Sequence, residues 1–190
     1  MDKPRLDQDM EPAARTPRPR EEIFLLSVLP PWAAMLASGE KQWEFRANPN
    51  FGRAGEHTMR PGDRLFIIES GPEPHFLCHG LVSRILRGQE IEHYFTTPER
   101  LGEAGYPAAP ESQARFREEI LPGHATAVHI QASPLPRPVP VSLIRHLHKK
   151  TPFLGRGFYH VAQLGRYHAG GRPVAGYLKE LSAGAGEPSA

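Results

Sequence analysis

The chain has 190 residues, 39% of them apolar, with 23 Lys and Arg against 21 Asp and Glu for a formal net charge of +2. This length and balance imply one compact domain with tails, and 21 prolines with 18 glycines exclude a long-helix bundle or coiled coil. A single cysteine, Cys78, excludes an intrachain disulfide and a cysteine-rich zinc module, and no apolar run approaches the roughly 18 residues of a membrane span or forms a secretory leader, so the expected setting is soluble, reducing and cytoplasmic.

Residues 1–22 hold five cations and six acids, are rich in proline and show no periodicity. They read as a disordered tail. The folded domain is expected over 23–180, with 181–190 as a second flexible tail. Ile23 to Val28 is an apolar run that predicts a buried strand. Pro31 suits the first turn of a helix carrying Trp32, Met35 and Leu36, and Ser38-Gly39 ends it. Trp43-Glu44-Phe45-Arg46 alternates as a strand, which predicts Trp43 and Phe45 buried and Glu44 and Arg46 partly accessible. The Pro61-Gly62-Asp63 turn precedes a strand from Arg64 to Glu69. Phe76 to Leu86 predicts a long strand, Tyr94 to Leu101 and Glu111 to Ile120 helices, Ala125 to Ile130 a strand and Val139 to Leu143 a further one. The stretch from His146 to Ala169 has no clear period. Five or six short strands with two or three helices predict an α+β fold, a small mixed β-barrel with flanking helices rather than a parallel sheet.

The charge is unevenly placed. No acid occurs from Ile120 to Leu178, while eight cations lie between Arg137 and Lys179, among them Lys149, Lys150 and Arg156. Phe153, Phe158, Tyr159, Tyr167 and Tyr177 are interleaved with them. Cations neutralise phosphates and aromatic faces stack on bases, so the segment fits nucleic acid, RNA more than DNA. A solvated basic face is the plainer alternative.

The most informative residues are Gly39, Lys41, Glu44 and Arg46, followed by the Gly62-Asp63 turn and a strand. This pattern resembles the ASCH family of the PUA-like superfamily, whose motif is Gly-x-Lys-x-x-Glu/Thr-x-Arg. The resemblance runs from about Ile23 to Ile130, and loosely to Val161. It implies a small β-barrel with a cleft beside the motif that binds RNA or acts on its components. One branch resembles an amidohydrolase of acetylcytidine, with a Lys and a Thr in the motif and a Glu further on. Lys41 matches that Lys, Glu44 stands in place of the Thr, and Glu103 is the nearest candidate for the downstream Glu.

The residue chemistry fits the same cleft. Arg46 offers a planar fork, Lys41 a point charge, and Glu44 accepts from an amino group. The candidate nucleic-acid contacts are therefore Lys41, Glu44, Arg46, Lys149, Lys150, Arg156 and Tyr159, with Lys41 and Glu44 as the catalytic pair of an alternative nucleoside or RNA hydrolase. A salt-bridge network closing the barrel is the structural alternative. Neither a cofactor nor a metal is expected. Cys78 and His79 are adjacent on a strand and so point apart, which predicts packing roles.

Overall fold

The computed structural model describes residues 21–107, 109, 111–145, 157–164, 168–169 and 171–184. The predicted tails and the cations Lys149, Lys150 and Arg156 fall wholly or largely outside these residues.

The chain opens with β1 (Ile23–Val28), α1 (Pro30–Ser38) and β2 (Trp43–Arg46), then the short strands β3 (Arg53–Ala54) and β4 (His57–Thr58). β5 (Arg64–Glu69) and the long β6 (His75–Arg87) follow, then three short helices, α2 (Gln89–Tyr94), α3 (Pro98–Glu103) and α4 (Ser112–Glu119). The long β7 (Thr126–Pro140), β8 (Ile144–Arg145), β9 (Phe158–His160), β10 (His168–Ala169), β11 (Arg172–Pro173) and α5 (Val174–Ser182) complete the described elements. The main sheet has the order β2-β7-β6-β5-β1-β9 and curls into a half-barrel. β1 runs parallel to β5, and the other ladders of the main sheet are antiparallel, as a mixed α+β barrel requires.

Both faces of β1 and β5 are covered, which explains their unbroken apolar runs. On one face Ile23, Leu25, Phe66 and Ile68 pack with Tyr177, Leu178 and Leu181 of α5. On the other, Phe24, Leu26, Leu65 and Ile67 pack with Leu36 of α1. A third cluster surrounds Trp43 and Phe45 under α2, α3 and α4. Cys78 is buried, and desolvation pushes its thiol up to about 12, so it stays protonated and inert. His79 is buried on the opposite face, where its Nδ1 accepts from Arg64 at 3.1 Å.

Three predicted elements need correction. The helix predicted from Tyr94 to Leu101 is two helices, because Pro98 occupies the first turn of α3 behind the Thr97 cap. The strands predicted at Ala125–Ile130 and Val139–Leu143 are one strand, and residues 141–143 form a 3-10 turn. Pro134, Pro136, Pro138 and Pro140 sit at every second position of β7, and β2 pairs only with Thr126–His129, so the strand has a free edge where missing donors cost little. At the end of the acid-free segment and just beyond it, Val174, Tyr177, Leu178 and Leu181 recur at helical spacing and form the buried face of α5, so Tyr177 is a core residue.

The β6–β7 ladder has register shifts between Phe76 and Cys78 and between Val82 and Arg84. Such bulges bend a strand and increase its twist, and here they curl the sheet. Gly80 lies between them, and a Cβ there would meet Gln131 O and Ile130 Cγ2 at 2.6 Å each. Backbone cannot yield cheaply at that distance. Gly80→Ala is expected to destabilise the domain by about 2 kcal/mol, lowering Tm by about 4–8 °C in a thermal melt. An unchanged Tm would show that the ladder relaxes freely.

Candidate functional site: the cleft over Lys41, Glu44 and Arg46

The motif glycine sets the geometry. Gly39 caps α1 in the left-handed conformation (φ 82°), and its N–H reaches Leu36 O. The chain turns back at once, so Lys41 N–H bonds to Met35 O at 3.0 Å and Gln42 enters the sheet through Ile130 N–H. Lys41 is thereby placed at the root of β2, three residues from Glu44.

Glu44 is clamped between two cations. Its Oε2 lies 3.0 Å from Lys41 Nζ, and its Oε1 lies 2.8 Å from an Arg46 guanidinium nitrogen. The same nitrogen donates to Ser27 O at 2.8 Å, tying β2 to the buried strand β1. Arg46 Nε is buried without a hydrogen-bond partner. Lys41 Nζ also lies 4.9 Å from the ring centre of Trp32, and the Arg46 guanidinium 5.7 Å from that of Phe51. Trp43 and Phe45 are buried and Arg46 is half-buried, as the alternation predicts. Glu44 is not partly accessible but buried, because Lys41 and Arg46 close over it from both sides.

These three charges form the floor of a cleft of about 350 Å³. Its walls include Val28, Phe45, Ala104 and Tyr106, with Trp32 and Leu29 exposed at the mouth. His124 also lines it. Its Nδ1 faces Ile120 O at 2.9 Å, and a carbonyl only accepts, so Nδ1 carries a proton. Sequence reading misses Trp32 and His124 as site residues. In sequence Trp32 is one more apolar position of a helix, and His124 comes from the turn before β7, far away in the chain.

Glu103 lies elsewhere. Its Oε2 accepts from Trp43 Nε1 at 3.1 Å and from Tyr94 at 3.2 Å, and its Oε1 pairs with Arg100 at 2.7 Å. It anchors the third core cluster and does not line the cleft. Tyr159 leans on the core cluster shared by β1 and α5, where burial raises its hydroxyl's pKa, and it too is absent from the cleft wall. Lys149, Lys150 and Arg156 are outside the described residues.

Among the described residues, Glu22, His57 and His160 bring their ligand atoms within 4.8 Å of one another. His160 Nδ1 accepts from the Ala162 N–H at 3.2 Å, so the neutral ring carries its proton on Nε2, facing Glu22 Oε2 at 3.4 Å. That nitrogen is a proton donor rather than a metal ligand. The ring also stacks on His57 with centres 3.5 Å apart at 16°, which aligns the two sets of in-plane lone pairs instead of converging them. The group reads as a hydrogen-bonded clasp joining the start of β1 to β4 and β9.

Two measurements check this electrostatic account. Glu44→Ala leaves two cations without their carboxylate and is expected to cost about 3 kcal/mol in urea unfolding, whereas adding Lys41→Met should recover part of the loss. Additive losses would show that the pair is not coupled. His79, His129 and His160 all have lowered pKa values, burial being the first cause for each. A depressed pKa favours the fold above the unfolded value of about 6.5 and withdraws that stability as pH falls through the folded value. The urea midpoint should therefore fall between pH 7 and pH 5, and a flat profile across that window would contradict three neutral rings, two of them buried and one half-buried.

No family model and no curated protein matches the chain. Among solved structures, it is similar to the crystal structure of ASCH from Zymomonas mobilis, with a TM-score of 0.51 and 18% identity over 73% of this chain and 87% of that one. A tyrosine-to-phenylalanine variant of the same protein aligns at a TM-score of 0.48 and 18% identity, over 74% of this chain and 90% of that one. The half-barrel of this chain thus matches that structure, and the chain has the ASCH fold.

Proposed function

We propose that the chain is a nucleic-acid-binding module, for RNA more than DNA, that takes one unstacked base into the cleft over Lys41, Glu44 and Arg46. The observation that carries this is a cluster of fixed charges, Lys41 and Glu44 buried and Arg46 half-buried, beneath apolar walls, with an exposed indole at the mouth. About 350 Å³ is at the small end of ligand clefts, which span about 300–1,000 Å³, and suits one planar heterocycle rather than a length of backbone. Trp32 offers the stacking face. The Arg46 guanidinium lines the cleft, and Glu44 is held rigidly enough to accept from an exocyclic amino group. Lys149, Lys150 and Arg156 supply phosphate contacts on this reading, their warrant being the acid-free sequence around them.

The alternative, hydrolysis of a modified nucleoside with Lys41 and Glu44 as the catalytic pair, has less support. Both carboxylate oxygens of Glu44 are engaged by cations, and neither residue supplies the hydroxyl of the acetylcytidine branch.

The two tryptophans make the binding reading testable, since Trp32 is exposed and Trp43 fully buried. Titrating a single-stranded RNA oligonucleotide should quench the Trp32 emission. Trp32→Ala should weaken binding about tenfold, within the roughly 1–3 kcal/mol of one stacked base. If about four cations meet phosphates, the log–log salt slope should be about −3. Absence of binding at low salt by folded protein would sink the reading, and equal affinity for DNA would remove the preference for RNA.

A further inference from the structure

A second cluster of reactive groups lies away from the cleft, at the Val82/Arg84 bulge. β7 pairs Ile130 with Val82 and His129 with Arg84, so Ser83 is the extra residue and has no partner across the ladder. A bulge re-aims the side chain of its extra residue. Here the exposed Ser83 hydroxyl is hydrogen-bonded to His129 Nδ1. On the far side of the same ring, His129 Nε2 lies 3.1 Å from Gln42 Oε1. An amide oxygen only accepts, so Nε2 carries the proton and Nδ1 presents its lone pair to the serine. The ring is held edge-to-face against Trp43, with centres 4.9 Å apart at 63°.

We propose that Ser83, His129 and Gln42 form a nucleophile–base–orienter relay that accepts acyl groups from activated esters at the open surface of the sheet. The order of roles follows from the hydrogen bonds. Ser83 Oγ attacks the ester carbonyl while its proton passes to His129 Nδ1. The Oγ–C bond forms, the bond to the leaving oxygen breaks, and Nδ1 returns the proton to that oxygen. Water repeats the sequence to release the carboxylic acid and restore Ser83. Gln42 is a positioning residue that fixes the tautomer and steadies the imidazolium from the far side.

The surroundings suit a base. Burial is the first cause lowering the His129 pKa; Arg84 and Arg100 lower it further, and Glu103 opposes them. Tyr94, the remaining ionisable group packed there, lies between the Arg84 and Arg100 guanidinium groups, 5.2 and 4.5 Å from its ring centre. The ring is thus neutral near pH 7.

The test uses the full chain and a fluorophosphonate probe. Attack forms the Ser83 Oγ–P bond and expels fluoride, and the serine proton goes to His129. Peptide mass spectrometry is expected to find the adduct on Ser83, with labelling absent in Ser83→Ala and unchanged in Ser133→Ala, which removes another exposed serine of the sheet. His129→Gln should slow labelling by about 100-fold, with circular dichroism confirming its fold. The rate should rise with pH to a plateau. Gln42→Glu, which sets a carboxylate against Nε2–H, should move the midpoint upward, a shift that a merely structural glutamine would not produce. No adduct on Ser83, a rate equal to that of other exposed serines, or a rate independent of pH through the histidine range would overturn the proposal.

Discussion

The bowed ladder between β6 and β7 is the constraint on which the rest depends. Thirteen residues of one strand and fifteen of the other cannot lie flat against a small core, and the two register shifts turn them around it. The curl lets β2 pair along the near end of β7 while β1, β5 and β9 continue the sheet on the far side of β6. Arg46 then reaches from β2 to Ser27 of β1, two strands that are not neighbours in the sheet. The cleft is the gap spanned by that guanidinium.

Three ionised groups sit at the bottom of this gap because each reduces the cost of burying the others. A lone buried Lys or Glu would be strongly disfavoured, whereas one carboxylate between two cations keeps both of its oxygens satisfied. The arrangement leaves an excess of positive charge facing the cleft. Substituting the motif threonine of the hydrolase branch for Glu44 would supply a hydroxyl but leave Lys41 and Arg46 without their common partner. One residue choice at this position therefore separates a charged floor from one that carries a hydroxyl.

The local parts of this design are legible in sequence and the long-range parts are not. Gly39 as a cap, Lys41 at the root of a strand, and the alternation of Trp43 and Phe45 against Arg46 all follow from neighbours within eight residues. The burial of Glu44 does not follow, because alternation says which side a residue faces and nothing about what folds over that side. α5 hides in a stretch marked by glycine, proline and cations, where only the spacing of Val174, Tyr177, Leu178 and Leu181 betrays it. β7 hides behind four prolines that would break a central strand and are tolerated beside a free edge. The Ser83–His129 and His129–Gln42 contacts join residues 46 and 87 positions apart, and no local pattern links them.

Lys41 and Gln42 show how closely the two sets of groups are interwoven. They are adjacent in the chain, yet Lys41 turns to Glu44 and the Trp32 ring while Gln42 reaches His129. The divergence arises where the chain leaves the left-handed cap at Gly39 and has not yet entered the regular strand at Trp43. Trp43 then stands between them in function: its backbone continues the motif strand, and its ring props His129 while its Nε1–H binds Glu103. A shift of β2 along β7 would move the cleft floor and the serine relay together. The rigidity of one four-residue strand thus fixes the geometry of both sites, and the fully buried indole of Trp43, locked by a hydrogen bond and three aromatic neighbours, supplies that rigidity.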